Sequence, residues 1–172
     1  MTNQQLRSAL TASVLELYGG ERRQARVLAH LAGAASSRAL REALVSHRHE
    51  TAHQARRLAR VVAALGVPMR EACGPGLLGI LAECREAIAD HADAGARDAA
   101  IIATAQRLDY YEMAAYGTAA AWADALGLGE VAALLNQCLD EEVATADDLL
   151  AVSLTREHLL AQPYAQPQAT EA

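Results

Sequence analysis

The chain has 172 residues, a net charge of −6 and a pI near 5.5, and its composition is 52% apolar, 21% charged and 3% aromatic, with no Phe. An acidic balance of this kind excludes a protein organised to grip nucleic-acid phosphates, which needs a basic face. Abundant Ala, Leu, Glu and Arg with few β-branched runs exclude a substantial sheet and predict an all-α fold of one domain.

The first long helix is predicted over Asn3 to Ala34. Its apolar stripe is Leu6, Leu10, Val14, Leu17, Tyr18, Ala25, Leu28 and Ala32, with Glu21 in the middle. Gly19-Gly20 weakens the helix locally, by about 1 kcal/mol per Gly relative to Ala, and leaves room for a close neighbour. Ser36-Ser37 breaks the chain and can cap a second helix that runs to Leu65, where Gly66-Val67-Pro68 stops it. Its stripe is Leu40, Leu44, His47, Thr51, Gln54, Leu58, Val61 and Leu65. The two helices form an αα-hairpin.

Pro68, Gly74, Pro75 and Gly76 punctuate the next stretch, where Leu77 to His91 reads as one short helix inside a long crossover. A third long helix is predicted from about Ala96 to Leu126, with Glu112 near its centre. Gly127-Leu128-Gly129 turns the chain into a fourth, from Glu130 to about Leu154, with Glu142 near its middle. Residues 1–161 are thus expected to form a four-helix bundle and 162–172, rich in Pro and Gln, a flexible tail.

Four glutamates fall in two matched pairs. Glu21 and Glu50 are 29 residues apart, and Glu112 and Glu142 are 30 apart. A carboxylate on a core-facing position costs several kcal/mol unless compensated, and a dinuclear metal centre inside the bundle would compensate all four. At ~100° per residue, Glu21, Glu112 and Glu142 point along their stripe centres and Glu50 towards an edge. His47 faces inward, one turn before Glu50. His53 completes a Glu-x-x-His pattern with Glu50 but points away. Asp109 shares the face of Glu112. This donor set, rich in carboxylate and poor in imidazole, suits iron or manganese.

Other residues carry blander expectations. Arg22-Arg23 and Arg56-Arg57 read as solvated faces, and His30, His49, His91 and His158 as surface residues. Cys138 reads as a small core residue and Tyr110, Tyr111 and Tyr116 as packing residues, one of which could hydrogen-bond a ligating carboxylate. Three cysteines without a CxxC pair speak against a disulfide framework. MTNQQLRSAL lacks the basic and apolar regions of a signal peptide, and no apolar run approaches the ~20 residues of a membrane span. The expected location is the cytoplasm.

The segments LYGGERR, SHRHETAHQARRL, ARDAAIIATAQRLDYYEMAAYGTAAAWADALGL and LDEEVATADDLL resemble the YciE/YciF family of bacterial ferritin-like proteins over roughly residues 10–152. The resemblance implies a ferritin-like four-helix bundle, a di-metal carboxylate site and a part in bacterial stress responses, with peroxide or catalase-type chemistry. By position Glu21, His47, Glu50, Glu112 and Glu142 match family residues. Asp109 stands where the family usually has Glu, Tyr110 where it often has His, and Gly19-Gly20 where an acidic residue is common. Ala146 stands where Asp is frequent, which removes a carboxylate from the second metal.

On this basis two Fe or Mn ions are expected, bridged by Glu50 and Glu142, with Glu21 and Glu112 as terminal ligands and His47 and Asp109 completing the shell. Peroxide or dioxygen is the expected small-molecule partner and a homo-oligomer, a dimer, the expected assembly. The competing readings are a bundle that holds metal without turnover, as a store or a structural protein, and a metal-free bundle whose glutamates are neutralised by His47 and arginines.

Overall fold

The computed structural model of the chain describes residues 1–155. Five helices and no strand occur among them: α1 (Asn3–Ala34), α2 (Arg38–Leu65), α3 (Pro75–Ala89), α4 (Ala94–Ala125) and α5 (Gly129–Ser153). The expected bundle limit at 161, the tail 162–172 and His158 lie outside the described residues.

Helix boundaries follow local chemistry. Thr2 caps α1 in a capping box with Gln5, and the Ser37 hydroxyl caps α2 at the Leu40 amide. Gly66, at φ 69°, closes α2 in the left-handed conformation that glycine adopts without penalty. The crossover helix begins at Pro75, two residues before the expected Leu77, because proline suits the first turn, where its missing N–H is not needed. Asp93 caps α4 at the Ala96 amide, and Gly127, at φ 71°, turns the chain into α5.

The helices α1/α2 and α4/α5 pack as antiparallel hairpins, and the hairpins join through α2 against α5 and α1 against α4. The crossover returns the chain to the end where α2 began, so α2 and α4 run parallel on one diagonal of the bundle and α1 and α5 on the other. This is the ferritin-like arrangement of a four-helix bundle. Helix α3 lies over α1 and α4. The segment that leads into α3 packs on Gly19, where an added Cβ would come within 1.7 Å of the Ala72 carbonyl oxygen. At the far end the Asp98 carboxylate accepts from the Ser36 and Ser37 amides at 2.8 and 2.7 Å, tying the α1/α2 turn to α4.

The core is divided. One apolar cluster joins Leu10–Leu17 of α1 to Leu58–Leu65 of α2, Tyr116–Ala123 of α4 and Val131–Cys138 of α5. The other joins Val27–Ala32, Leu40, Leu44, Ile101–Leu108 and Leu149 to the inner face of α3. Between them lies a buried polar layer, occupying the middle of every long helix.

Candidate metal centre

All four long helices contribute to this layer: Glu21 and Gln24 from α1, His47, Thr51 and Gln54 from α2, Asp109 and Glu112 from α4, and Glu142 and Thr145 from α5. Each is on the stripe that faces the bundle axis, so the apolar periodicity that builds the helices also delivers polar groups to their common centre. Two sets of donor atoms converge to within 4.8 Å of one another: His47, Asp109 and Glu142, and Glu21, Glu112 and Glu142. Glu142 belongs to both sets and stands between them.

The remaining candidate, Glu50, is half-buried and belongs to neither set. Its Oε2 accepts from the Thr145 hydroxyl at 2.8 Å and its Oε1 from Ser46 at 3.1 Å. His53 is exposed, while His47 is 2% exposed. Among the tyrosines, Tyr116 donates to Glu21 Oε1, Tyr111 packs against the second apolar cluster, and Tyr110 is exposed.

Three further polar groups were invisible as site residues in the sequence. Gln54 Nε2 donates to Glu142 Oε1 at 2.7 Å. Gln24 Nε2 lies 3.1 Å from His47 Nε2. Which ring nitrogen carries the proton depends on the tautomer, and the contact holds the ring in place in either case. Thr145, one turn beyond Glu142, holds Glu50. Both glutamines and Thr145 follow the inward spacing of their helices, which was the only signal available.

The layer is short of positive charge. Burial lowers the His47 pKa to about 4, so its imidazole is neutral. His47 Nε2 and Asp109 Oδ1 therefore approach to 3.4 Å without forming an ion pair or a hydrogen bond. No arginine among the described residues pairs with Glu21, Asp109, Glu112 or Glu142. Arg57, expected on a solvated face, is 12% exposed and makes a bidentate bridge to Glu141 at 2.8 and 2.9 Å, between α2 and α5. It also donates to Cys138 Sγ, which is buried in the first apolar cluster.

Without a counterion the buried carboxyls have raised pKa values. Burial, followed by the charges of Glu142 and other neighbours, pushes Glu21 well up, against the opposing Tyr116 hydrogen bond. Burial and the neighbouring carboxylates do the same to Glu112 and Asp109. Glu142 is pushed up to about 8 by burial, with the Gln54 hydrogen bond acting against the shift. Six carboxylate oxygens have no hydrogen-bond partner: Glu21 Oε2, both of Asp109, both of Glu112 and Glu142 Oε2; His47 Nδ1 also lacks one. Buried polar atoms are paired in the great majority of cases. A cluster of orphaned carboxyl oxygens with one neutral imidazole is a donor set that hard or borderline divalent cations satisfy.

Comparison with known proteins agrees with this architecture. Residues 5–159 match the family described as Domain of unknown function (DUF892). The chain belongs to this family. It is 37% identical to Protein YciF of Escherichia coli (strain K12) over 131 residues, 76% of this chain and 79% of that protein. The crystal structure of the E. coli stress protein YciF superposes with a TM-score of 0.85 at 31% identity, covering 91% of this chain and 98% of that one. YcfI of Rhodopseudomonas palustris, a proposed structural protein, superposes with a TM-score of 0.83 at 33% identity, over 90% and 96% of the two chains. The resemblance carried by the Glu21, His47–Glu50, Asp109–Glu112 and Glu142 segments is thus matched over most of the chain, and the DUF892 fold positions all of them at mid-bundle.

Proposed function

We propose that this DUF892 protein holds two metal ions, iron or manganese, in its polar layer and acts with them on peroxide or dioxygen during stress. The observation that carries the reading is the cluster of orphaned, uncompensated carboxylate oxygens around Glu142. Glu21 and Glu112 would hold one ion and His47 and Asp109 the other, with Glu142 shared and Glu50 beside the second. A carboxylate-bridged metal pair supplies redox capacity towards peroxide or dioxygen.

The chain's own residues prepare that site. Tyr116 fixes one oxygen of Glu21 and leaves the other free, and Gln54 does the same for Glu142. Gln24 orients the His47 ring. The apolar clusters on both sides keep water from the layer, which strengthens every charge interaction within it.

Elemental analysis of protein expressed with iron or manganese should give two ions per chain, and Glu112→Ala should lower that content. Full metal content in the variant would overturn the site assignment. A role in stress fits the description of the E. coli relative. A cytoplasmic homodimer belongs to the same reading, and the three free cysteines fit a reducing compartment.

A second reading has the layer binding metal without turnover, as a structural or storage protein. The full burial of its carboxylates and the description of YcfI favour it. Peroxide consumption by the loaded protein separates the two: a rate no greater than that of free metal leaves the non-catalytic reading.

A further inference from the structure

Two cavities reach the polar layer from the surface, and their linings have opposite charge. The larger, about 650 Å³ along the α1/α2 seam, touches Glu21 and is rimmed by Arg22, Arg26, Arg48, His30 and His49. The smaller, about 30 Å³ in the α2/α5 seam, has room for about one water. Its polar lining is Ser46, His47, Glu50, Thr145 and Asp148, with no arginine or lysine. His47 forms part of this wall although it is 2% exposed, and its Nδ1 has no hydrogen-bond partner.

Glu50 links this mouth to the interior. Hydroxyls of Ser46 and Thr145 hold its two oxygens at the seam. Glu50 thus shares one cavity wall with an exposed carboxylate, Asp148, and with His47 of the His47–Asp109–Glu142 donor set.

We propose that the α2/α5 seam is the route by which divalent cations reach the buried layer, with Asp148 and Glu50 as receiving carboxylates and His47 as the first buried donor met. The inference rests on the metal-binding reading above. A cation shedding water needs replacement oxygens along its path, and the seam offers two carboxylates and two hydroxyls in sequence. The arginine rim over Glu21 repels the same ion. The route also accounts for Glu50 standing beside the donor sets without joining either.

Co²⁺ uptake by metal-stripped protein, followed by stopped-flow visible absorption, tests the route. At low ionic strength Asp148→Asn should slow association about threefold and Asp148→Lys about tenfold or more, both effects shrinking as salt is added. Ala43→Leu, which narrows the same cavity, should slow uptake at every ionic strength. All three should reach the wild-type final stoichiometry, which also shows that they fold. Ala29→Leu and Ala52→Leu, in the α1/α2 cavity, should leave the rate unchanged. Normal rates for Asp148→Lys and Ala43→Leu, or altered rates for the α1/α2 variants, would overturn the route while leaving the site intact. Wild-type protein that takes up no Co²⁺ would overturn the metal-binding reading and the route together.

Discussion

Raising the pH of the metal-stripped protein from 6.5 to 8 should destabilise it. Burial holds Glu142 protonated up to about 8, against an ordinary 4.5. A carboxyl with a higher pKa folded than unfolded makes the folded chain bind more protons, so its stabilising contribution is lost as pH climbs towards the folded value. His47 acts with the opposite sign. Its pKa falls from 6.5 to about 4, so its contribution is complete above 6.5 and is lost only on acidification. Above 6.5 the carboxyls therefore act alone. Over about 1.5 pH units, at about 1.4 kcal/mol per unit, Glu142 gives about 2 kcal/mol. Glu21, Asp109 and Glu112 shift in the same direction. Urea unfolding with chelator present, followed by helical circular dichroism at the two pH values, measures the difference. Glu142→Gln should remove its share of the slope. Saturating Mn²⁺ should flatten the slope, because ligating carboxyls have already lost their protons in the metal-bound fold. Metal-stripped protein as stable at pH 8 as at 6.5 would show the layer already ionised and paired, and the reasoning would fail.

Other substitutions probe the scaffold. Gly19→Ala drives a Cβ onto the Ala72 carbonyl and should cost about 2–3 kcal/mol in urea unfolding, whereas Gly20→Ala meets the end of the Leu77 side chain, with Glu112 Oε1 at ordinary contact distance, and should cost under about 1 kcal/mol; equal costs would refute the backbone contact. Tyr116→Phe strips Glu21 of its donor and should cost about 1–3 kcal/mol in the metal-stripped protein, and equilibrium dialysis should show weaker metal retention; unchanged values on both counts would remove Tyr116 from the site. Arg57→Ala should cost about 1 kcal/mol, and a double-mutant cycle with Glu141→Gln should assign most of that to the pair; a coupling near zero would mean that the bridge contributes only geometry.

Much of this molecule was legible along the chain because it depends on local periodicity. Helices α1 and α2 end at their expected residues, Ala34 and Leu65, and α4 and α5 lie within two residues of theirs. The wheel ranked His47 inward and His53 outward without a family to lean on, since a helix fixes the angle between residues three apart. The same rule centred Glu21, Glu112 and Glu142. Contacts between helices were decided only by tertiary packing. Tyr116 and Glu21 are 95 residues apart, Gln54 and Glu142 88, and Arg57 and Glu141 84. No periodicity reports the axial stagger and rotation that bring such partners level. Glu50 shows the difference most clearly. The sequence placed it at a stripe edge; the structure turned it to Thr145 and the α2/α5 seam, because the neighbouring helix supplied a hydroxyl there and the layer supplied only like charge.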